Sequence, residues 1–320
     1  MAMAVKGKAL GYLLGAIAAA SYGLNPTFAL PLYADGMNPD SVLLLRYGLA
    51  IPMVAVMAFL RGRSLKAPDR SMLPLAGLGL LMALSSLTLF ISYNYMAAGI
   101  ASTILFVYPL MVAIIMAVFC HEKLTMHTIL CILLAASGIL LLYNTGDGGT
   151  LSLIGTLIVI TSALSYAIYL VAINQKRLEG MATLAVTFWV LLFGSLLFAG
   201  RLAFGAAELT LPTKWYLWLD AAALAVFPTI ISLVCTTMAI QAIGSTPTAI
   251  LGAIEPVTAV IMGILLFDEG MTGREASGIA MILVAVSFVV AGASEGSAIS
   301  KHLTRFRQMF PKLRRTRNDK

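Results

Sequence analysis

Glu255 is the one charged residue in a long apolar run, and Pro256 follows it directly. A charge at the centre of a membrane helix costs about 2.5–3.5 kcal/mol on insertion scales, so this carboxylate needs an interior or aqueous partner. The proline also breaks the hydrogen-bond ladder and leaves backbone carbonyls free nearby. Glu255 could therefore bind a substrate amine or take up a proton, or it could hold two helices together through a structural hydrogen bond.

A second charge, Arg46, lies within the apolar run 39–60, about seven residues from its beginning. Its long side chain could reach the membrane surface while its stem stays in lipid. It could equally pair with Glu255 or with a carboxylate of the substrate. The sequence leaves these three interpretations open.

Uncharged polar and aromatic residues occur in several of the other apolar runs. Pro26 predicts a kink in the first run, which a membrane tolerates where the freed carbonyls face a cavity. For the tyrosines, packing or anchoring at the headgroups is the alternative to lining that cavity. Asn94, Tyr166 and Thr236 are further candidates for its lining. The predicted substrate-binding residues are Tyr22, Asn25, Arg46, Tyr93, Tyr108, Tyr169, Gln241 and Glu255, and the predicted gating residues are Pro26, Pro109 and Pro256.

The composition requires a membrane to position these residues. Of 320 residues, 60% are hydrophobic and 11% are charged, whereas a soluble domain carries about 25% charged residues. Apolar runs of roughly 20 residues can cross a bilayer only as helices or closed barrels, and the alternation of barrel strands is absent. The runs predict ten helices, near 9–30, 39–60, 71–94, 98–120, 126–143, 150–174, 182–204, 214–241, 245–267 and 272–293.

Positive charge predicts how these helices are oriented. Cytoplasmic loops retain Lys and Arg, and an inside N-terminus places seventeen of the 21 basic residues on the inner side. Both termini are then cytoplasmic, in what we expect to be a bacterial inner membrane. The basic tail 294–320 is predicted to contact anionic lipid headgroups, and nucleic acid is not expected as a partner.

The chain repeats itself. Tyr108-Pro109 lies thirteen residues before Glu122, which Thr125 follows; Glu255-Pro256 and Glu269 repeat this spacing 147 residues later. This self-similarity predicts two five-helix units, 1–143 and 150–293, followed by the tail 294–320. Because five is odd, the second unit enters the membrane from the opposite side. Inverted repeats of this kind are common in alternating-access transporters.

The repeated pieces resemble the EamA-type branch of the drug/metabolite transporter superfamily. They are Tyr108-Pro109 with Glu122-Lys123-Leu124-Thr125, Glu255-Pro256 with Asp268-Glu269-Gly270-Met271-Thr272, and the glycines Gly138 and Gly278 of the helices that follow. The resemblance covers about residues 9–293. It implies a ten-helix transporter in which helices 1–4 and 6–9 surround a central cavity, while helices 5 and 10 are peripheral. Members of the family move amino acids, other metabolites, vitamins and drugs, often outward.

Catalytic signatures are missing from the sequence. It has no P-loop, dinucleotide fingerprint or His-Glu-x-x-His motif, and its three histidines and three cysteines lack metal-ligand spacing. We therefore expect no enzyme activity, cofactor or metal. The prediction is a secondary transporter that exports a small metabolite such as an amino acid, with protons as a candidate coupling ion. The alternative is a membrane scaffold or sensor whose tail binds a partner; the oligomeric state is not predicted.

Overall fold

The computed structural model describes residues 2–119, 126–143, 152–172, 181–243, 248, 251–268 and 270–288. The predicted linker 144–150, the tail 294–320, Glu122 and Glu269 lie outside these residues. In chain order the helices are α1 (Ala2–Gly23), α2 (Asn25–Ala34), α3 (Pro39–Leu60), α4 (Asp69–Ser92), α5 (Ala98–Leu105), α6 (Tyr108–Phe119), α7 (Met126–Tyr143), α8 (Leu153–Ala172), α9 (Thr183–Ala203), α10 (Leu217–Ala225), α11 (Ser232–Ile243), α12 (Ile254–Phe267) and α13 (273–288). A six-residue π-helix, Val226–Ile231, joins α10 to α11.

The helices have the length and apolarity of membrane spans. Within the described residues, seven helical segments of at least 18 residues could cross a bilayer, and two shorter apolar helices, Ile129–Leu142 and Ile254–Phe267, accompany them. Large apolar side chains such as Phe59 and Leu73 are more than three-quarters exposed. So much exposed apolar surface is favourable only in contact with lipid. The prediction of an all-helical integral membrane protein is confirmed.

Three of the spans are broken near their middle. The first breaks at Leu24 between α1 and α2, the fourth at residues 106–107 between α5 and α6, and the ninth at residues 252–253 before α12. In each case a predicted gating proline, Pro26, Pro109 or Pro256, follows within two or three residues. A proline in the first turn of a helix costs little, because its missing N–H would have had no intrahelical partner.

The principal contacts join helices that precede residue 144 to helices that follow residue 152. α1 packs on α11, α4 on α8, α3 on α9, and α5 on α12. These contacts come in matching pairs when each span is matched with the span five places along the chain. Under this matching, the contact between the first and eighth spans corresponds to the contact between the sixth and third spans. The contact of α6 with α8 corresponds in the same way to that of α1 with α12.

The fifth and tenth spans cross at two glycines. A Cβ on Gly138 would lie 2.8 Å from the carbonyl oxygen of Gly278, and a Cβ on Gly278 would lie 2.8 Å from that of Gly138. Such small residues let membrane helices approach closely. Gly138 and Gly278 therefore set the separation of α7 and α13.

Polar contacts join the loops at one end of the bundle. Arg201 of α9 donates from Nε to Oδ1 of Asp40 at 2.6 Å and from a terminal nitrogen to Oδ2 at 3.3 Å. The backbone N–H and hydroxyl of Thr213 donate to the exposed carboxylate of Asp35, and these hydrogen bonds hold the pKa of Asp35 below its ordinary value. Together these contacts tie the start of α3 to the loop that follows α9.

Candidate functional site

The break in the first span lies against the start of α12. Gly23 has no room for a side chain, because a Cβ there would meet the carbonyl oxygen of Glu255 and the side chain of Thr258. Glu255 occupies the first turn of α12, directly after the break at 252–253. Its carboxylate is half-buried. The two interrupted helices therefore place an acidic side chain beside freed backbone at the centre of the bundle.

Arg46 is buried in the bundle, with 3% of its surface exposed. Its Nε donates to Oγ1 of Thr229 at 3.1 Å, and its Cζ lies 5.7 Å from the centroid of the Phe90 ring. Of the three interpretations of Arg46, reaching the membrane surface is therefore wrong. The structure also gives it no ion pair with Glu255, since the one salt bridge among the described residues joins Arg201 to Asp40.

Tyr22 connects the two separated charges. Its hydroxyl lies within electrostatic range of both Glu255 and Arg46, and Arg46 approaches it as a hydrogen-bond donor. Tyr93 also lies within range of Tyr22, Arg46 and Glu255. Tyr22 and Tyr93 therefore lie near both a carboxylate and a guanidinium in the interior.

Two more tyrosines pack beside Glu255. The rings of Tyr108 and Tyr166 meet edge to face with centroids 4.8 Å apart, and Tyr166 stacks on Tyr169 at 5.9 Å. The hydroxyls of Tyr108 and Tyr166 both lie within electrostatic range of Glu255 and Tyr22. Like Glu255 and Tyr22, both keep partly accessible surface.

Three buried oxygens near these residues lack partners among the described atoms. They are Oδ1 of Asn25, Oγ1 of Thr27 and the hydroxyl of Tyr93. Tyr93 faces Ser102 without forming a hydrogen bond of normal geometry. A buried acceptor without a partner costs about 1–3 kcal/mol, so water or a bound ligand would satisfy them.

Comparison with known proteins identifies the family. The model of the EamA-like transporter family matches residues 9–144 and again residues 153–291. The chain belongs to the EamA-like transporter family. Membership makes it a membrane transporter, and it implies a small-molecule substrate.

Two individual proteins are also similar to this chain, one in sequence and one in fold. A Bacillus subtilis (strain 168) protein described as an uncharacterized transporter, YvbV, is 31% identical over 94 residues, which cover 28% of this chain and 31% of that relative. A solved structure titled only as a crystal structure of a protein superposes with a TM-score of 0.63 at 19% identity, covering 87% of this chain and 97% of the other. The first likeness spans under a third of the relative, and the second concerns the fold alone.

The structure brings most of the predicted binding residues of this EamA-like protein into one region. Tyr22 and Tyr93 lie within electrostatic range of both Arg46 and Glu255, and Tyr108 lies within range of Glu255 and Tyr22. Tyr169 joins the group through Tyr166, and Asn25 is buried in the broken first span with 2% of its surface exposed. The side chain of Gln241 lies outside the described part of the chain.

Two neighbours of Arg46 were not among the predicted residues. Phe90 covers the guanidinium, and Thr229 anchors it from the π-helix between α10 and α11. The only sequence signal at the second position is Pro228, which precedes Thr229 inside an apolar run. A proline there indicates an irregular turn but does not indicate which helix the threonine will face.

Proposed function

We propose that this chain is a secondary transporter that exports a small polar metabolite, an amino acid or a related compound, through a cavity between its two halves. The observation that carries the proposal is the separation of two charges in the interior. Arg46 and Glu255 share the interior without an ion pair between them, and Tyr22 lies within range of both. Partnerless charges are costly in a membrane, so a ligand that supplies both opposite charges would be stabilised there.

In this proposal Glu255 binds the amine of the substrate, or carries a proton in exchange for it. Tyr22, Tyr93 and Tyr108 supply hydroxyls and aromatic faces around it, with Asn25, Tyr169 and Gln241 at the edges. Aromatic faces stabilise cations within about 6 Å of the ring. Protons are the proposed coupling ion, because Glu255 can take one up at the centre of the bundle.

Alternating access is the proposed mechanism, with two five-helix units of inverted orientation. It is supported by the matching helix contacts and by the breaks at 106–107 and 252–253, which lie within one residue of the repeat offset of 147. The residues before Pro26, Pro109 and Pro256 are the proposed flexible points. The chain would lie in the bacterial cytoplasmic membrane with both termini inside, as the distribution of basic residues favours.

Transport by the purified protein in liposomes tests this function. Vesicles loaded with an unlabelled mixture of the twenty common L-amino acids should take up a labelled member of the mixture by exchange, and empty vesicles should not. Glu255→Gln should reduce proton-coupled uptake at least tenfold, because the carrier of the proton and the partner of the amine is removed. Glu208→Gln is the matched control, since that carboxylate is exposed on a loop.

Two results would count against the proposal. Uptake in Glu255→Gln that equals the parent's at every pH would exclude a coupling role for Glu255. Failure of every amino acid to exchange across vesicles that contain folded protein would exclude the substrate class.

A further inference from the structure

Arg46 is held by Thr229 and faces the hydroxyl of Tyr22, but it has no carboxylate partner among the described residues. A guanidinium has five N–H donors, and the one on Nε is used by Thr229. Phe90 covers one face of the group at 5.7 Å. The four donors on the two terminal nitrogens form the planar fork that matches a carboxylate, and Tyr22 is a neighbour of the guanidinium.

Thr229 occupies an irregular stretch of backbone that orients this arginine. It lies in the π-helix Val226–Ile231, directly after the buried Pro228. Its hydroxyl donates to the carbonyl oxygen of Leu224, five residues earlier, at 3.3 Å. With the proton directed to Leu224, a lone pair of Oγ1 faces the Nε–H of Arg46. π-turns of this kind are frequent at functional sites.

The charge of Arg46 is not neutralised by the protein that surrounds it. No carboxylate oxygen of the described residues lies within 4.0 Å of its nitrogens, and Asp40, six residues earlier, is paired with Arg201. With 3% of its surface exposed, Arg46 also has little contact with solvent. A buried charge is stable only with partners, so the fork requires an anionic group from outside the described protein.

We propose that Arg46, positioned by Thr229, forms a binding subsite for a carboxylate, which makes the transporter selective for zwitterions over amines of the same shape. The inference rests on the proposed function and adds to it the substrate class and a positioning residue. Glu255 then holds the ammonium end, and the distance between the two charged side chains selects compounds that carry both groups. Simple amines would gain the contacts of Glu255 but leave Arg46 without a partner.

Competition by matched pairs of compounds tests the subsite. The pairs are L-leucine with isoamylamine and L-phenylalanine with 2-phenylethylamine, which differ only by the carboxylate. Each compound competes against labelled amino acid uptake in vesicles. In the parent, the amino acid should compete at least tenfold better than its amine, as a charge-assisted hydrogen bond would give.

Variants separate positioning from folding. Arg46→Gln and Thr229→Val should each raise the half-inhibitory concentration of the amino acids about tenfold and change that of the amines less than twofold. Thr229→Ser keeps the hydroxyl and should retain the parent's selectivity. Arg46→Lys keeps the buried charge without the planar fork, so it serves as the test if the glutamine variant fails to fold. The selectivity of Arg46→Lys for the amino acid over its amine should fall at least fivefold.

The outcomes are distinguishable. If Arg46→Lys and Thr229→Val keep the parent's selectivity while uptake continues, the carboxylate subsite is overturned and transport stands. If both members of each pair lose affinity equally, Thr229 has only a structural role and the subsite is also overturned. If the parent transports and binds none of the compounds, the proposed function is overturned and the subsite with it.

Discussion

Replacing Arg201 by Gln should destabilise the folded protein more than replacing Asp40 by Asn. The two side chains form an ion pair at 2.6 Å, but they differ in burial: the Arg201 side chain is 36% exposed and that of Asp40 is 6% exposed. Removal of the arginine leaves a buried carboxylate without its partner. Removal of the carboxylate leaves a guanidinium that water can reach.

The magnitude follows from this difference. Breaking a fully buried pair by removing one partner costs about 3–5 kcal/mol, whereas an exposed pair contributes about 0.2–1 kcal/mol. Asp40 also lies in the first turn of α3, where the helix dipole stabilises a negative charge by about 0.3–1 kcal/mol. We therefore expect Arg201→Gln to lower the free energy of unfolding by about 2 kcal/mol and Asp40→Asn by about 1 kcal/mol, between the two limits.

Equilibrium unfolding in mixed detergent and dodecyl sulfate micelles measures both values. The double variant should cost about 1 kcal/mol, less than Arg201→Gln alone, because the second substitution removes the buried carboxylate that had lost its partner. Arg274→Gln is the matched control: this arginine is exposed near the start of α13, and its replacement should change stability by less than about 0.5 kcal/mol. A larger cost for Asp40→Asn than for Arg201→Gln, or strict additivity in the double variant, would refute the reasoning.

Two further predictions concern packing and orientation. Gly278→Ala should lower the free energy of unfolding by about 1–3 kcal/mol, since its Cβ would lie 2.8 Å from the carbonyl oxygen of Gly138. Gly77→Ala is the control and should be neutral in the same unfolding assay, because a Cβ there would have nothing within 4 Å. Equal effects of the two substitutions would show that the glycine crossing is unimportant. Single cysteines placed at Ser64 and Arg274 should lie on opposite sides of the membrane. A membrane-impermeant maleimide should label the second in intact cells and the first only after permeabilisation. Labelling of both from the same side would exclude the proposed ten-span orientation.

Much of the fold could be predicted from the sequence because the bilayer restricts what an apolar run can do. A run of about 20 apolar residues must satisfy its own backbone, and a helix is the open-chain structure that does so. The observed helices accordingly begin and end close to the predicted runs; α3, for example, occupies 39–60 and α7 occupies 126–143. The paired prolines Pro109 and Pro256 also indicated where the fourth and ninth spans would be irregular, although the breaks lie just before them.

The candidate site depended on tertiary structure to a greater degree. Arg46 and Glu255 were recognisable from the sequence because each is a charge in an apolar run, but their relation was not. Whether Arg46 reaches the surface, pairs with Glu255 or stays buried depends on how α3 is rotated against helices that are distant in sequence.

Sequence alone determined that this chain is a bundle of membrane helices with a duplicated pattern and two interior charges, since hydropathy and spacing act within one helix at a time. Tertiary structure alone decided that Thr229, 183 residues from Arg46, anchors its guanidinium while Asp40, six residues away, binds Arg201 instead. The physical reason is that helix rotation, crossing and the π-helix at 226–231 select which side chains meet, and these depend on packing between helices rather than on the pattern along any one of them.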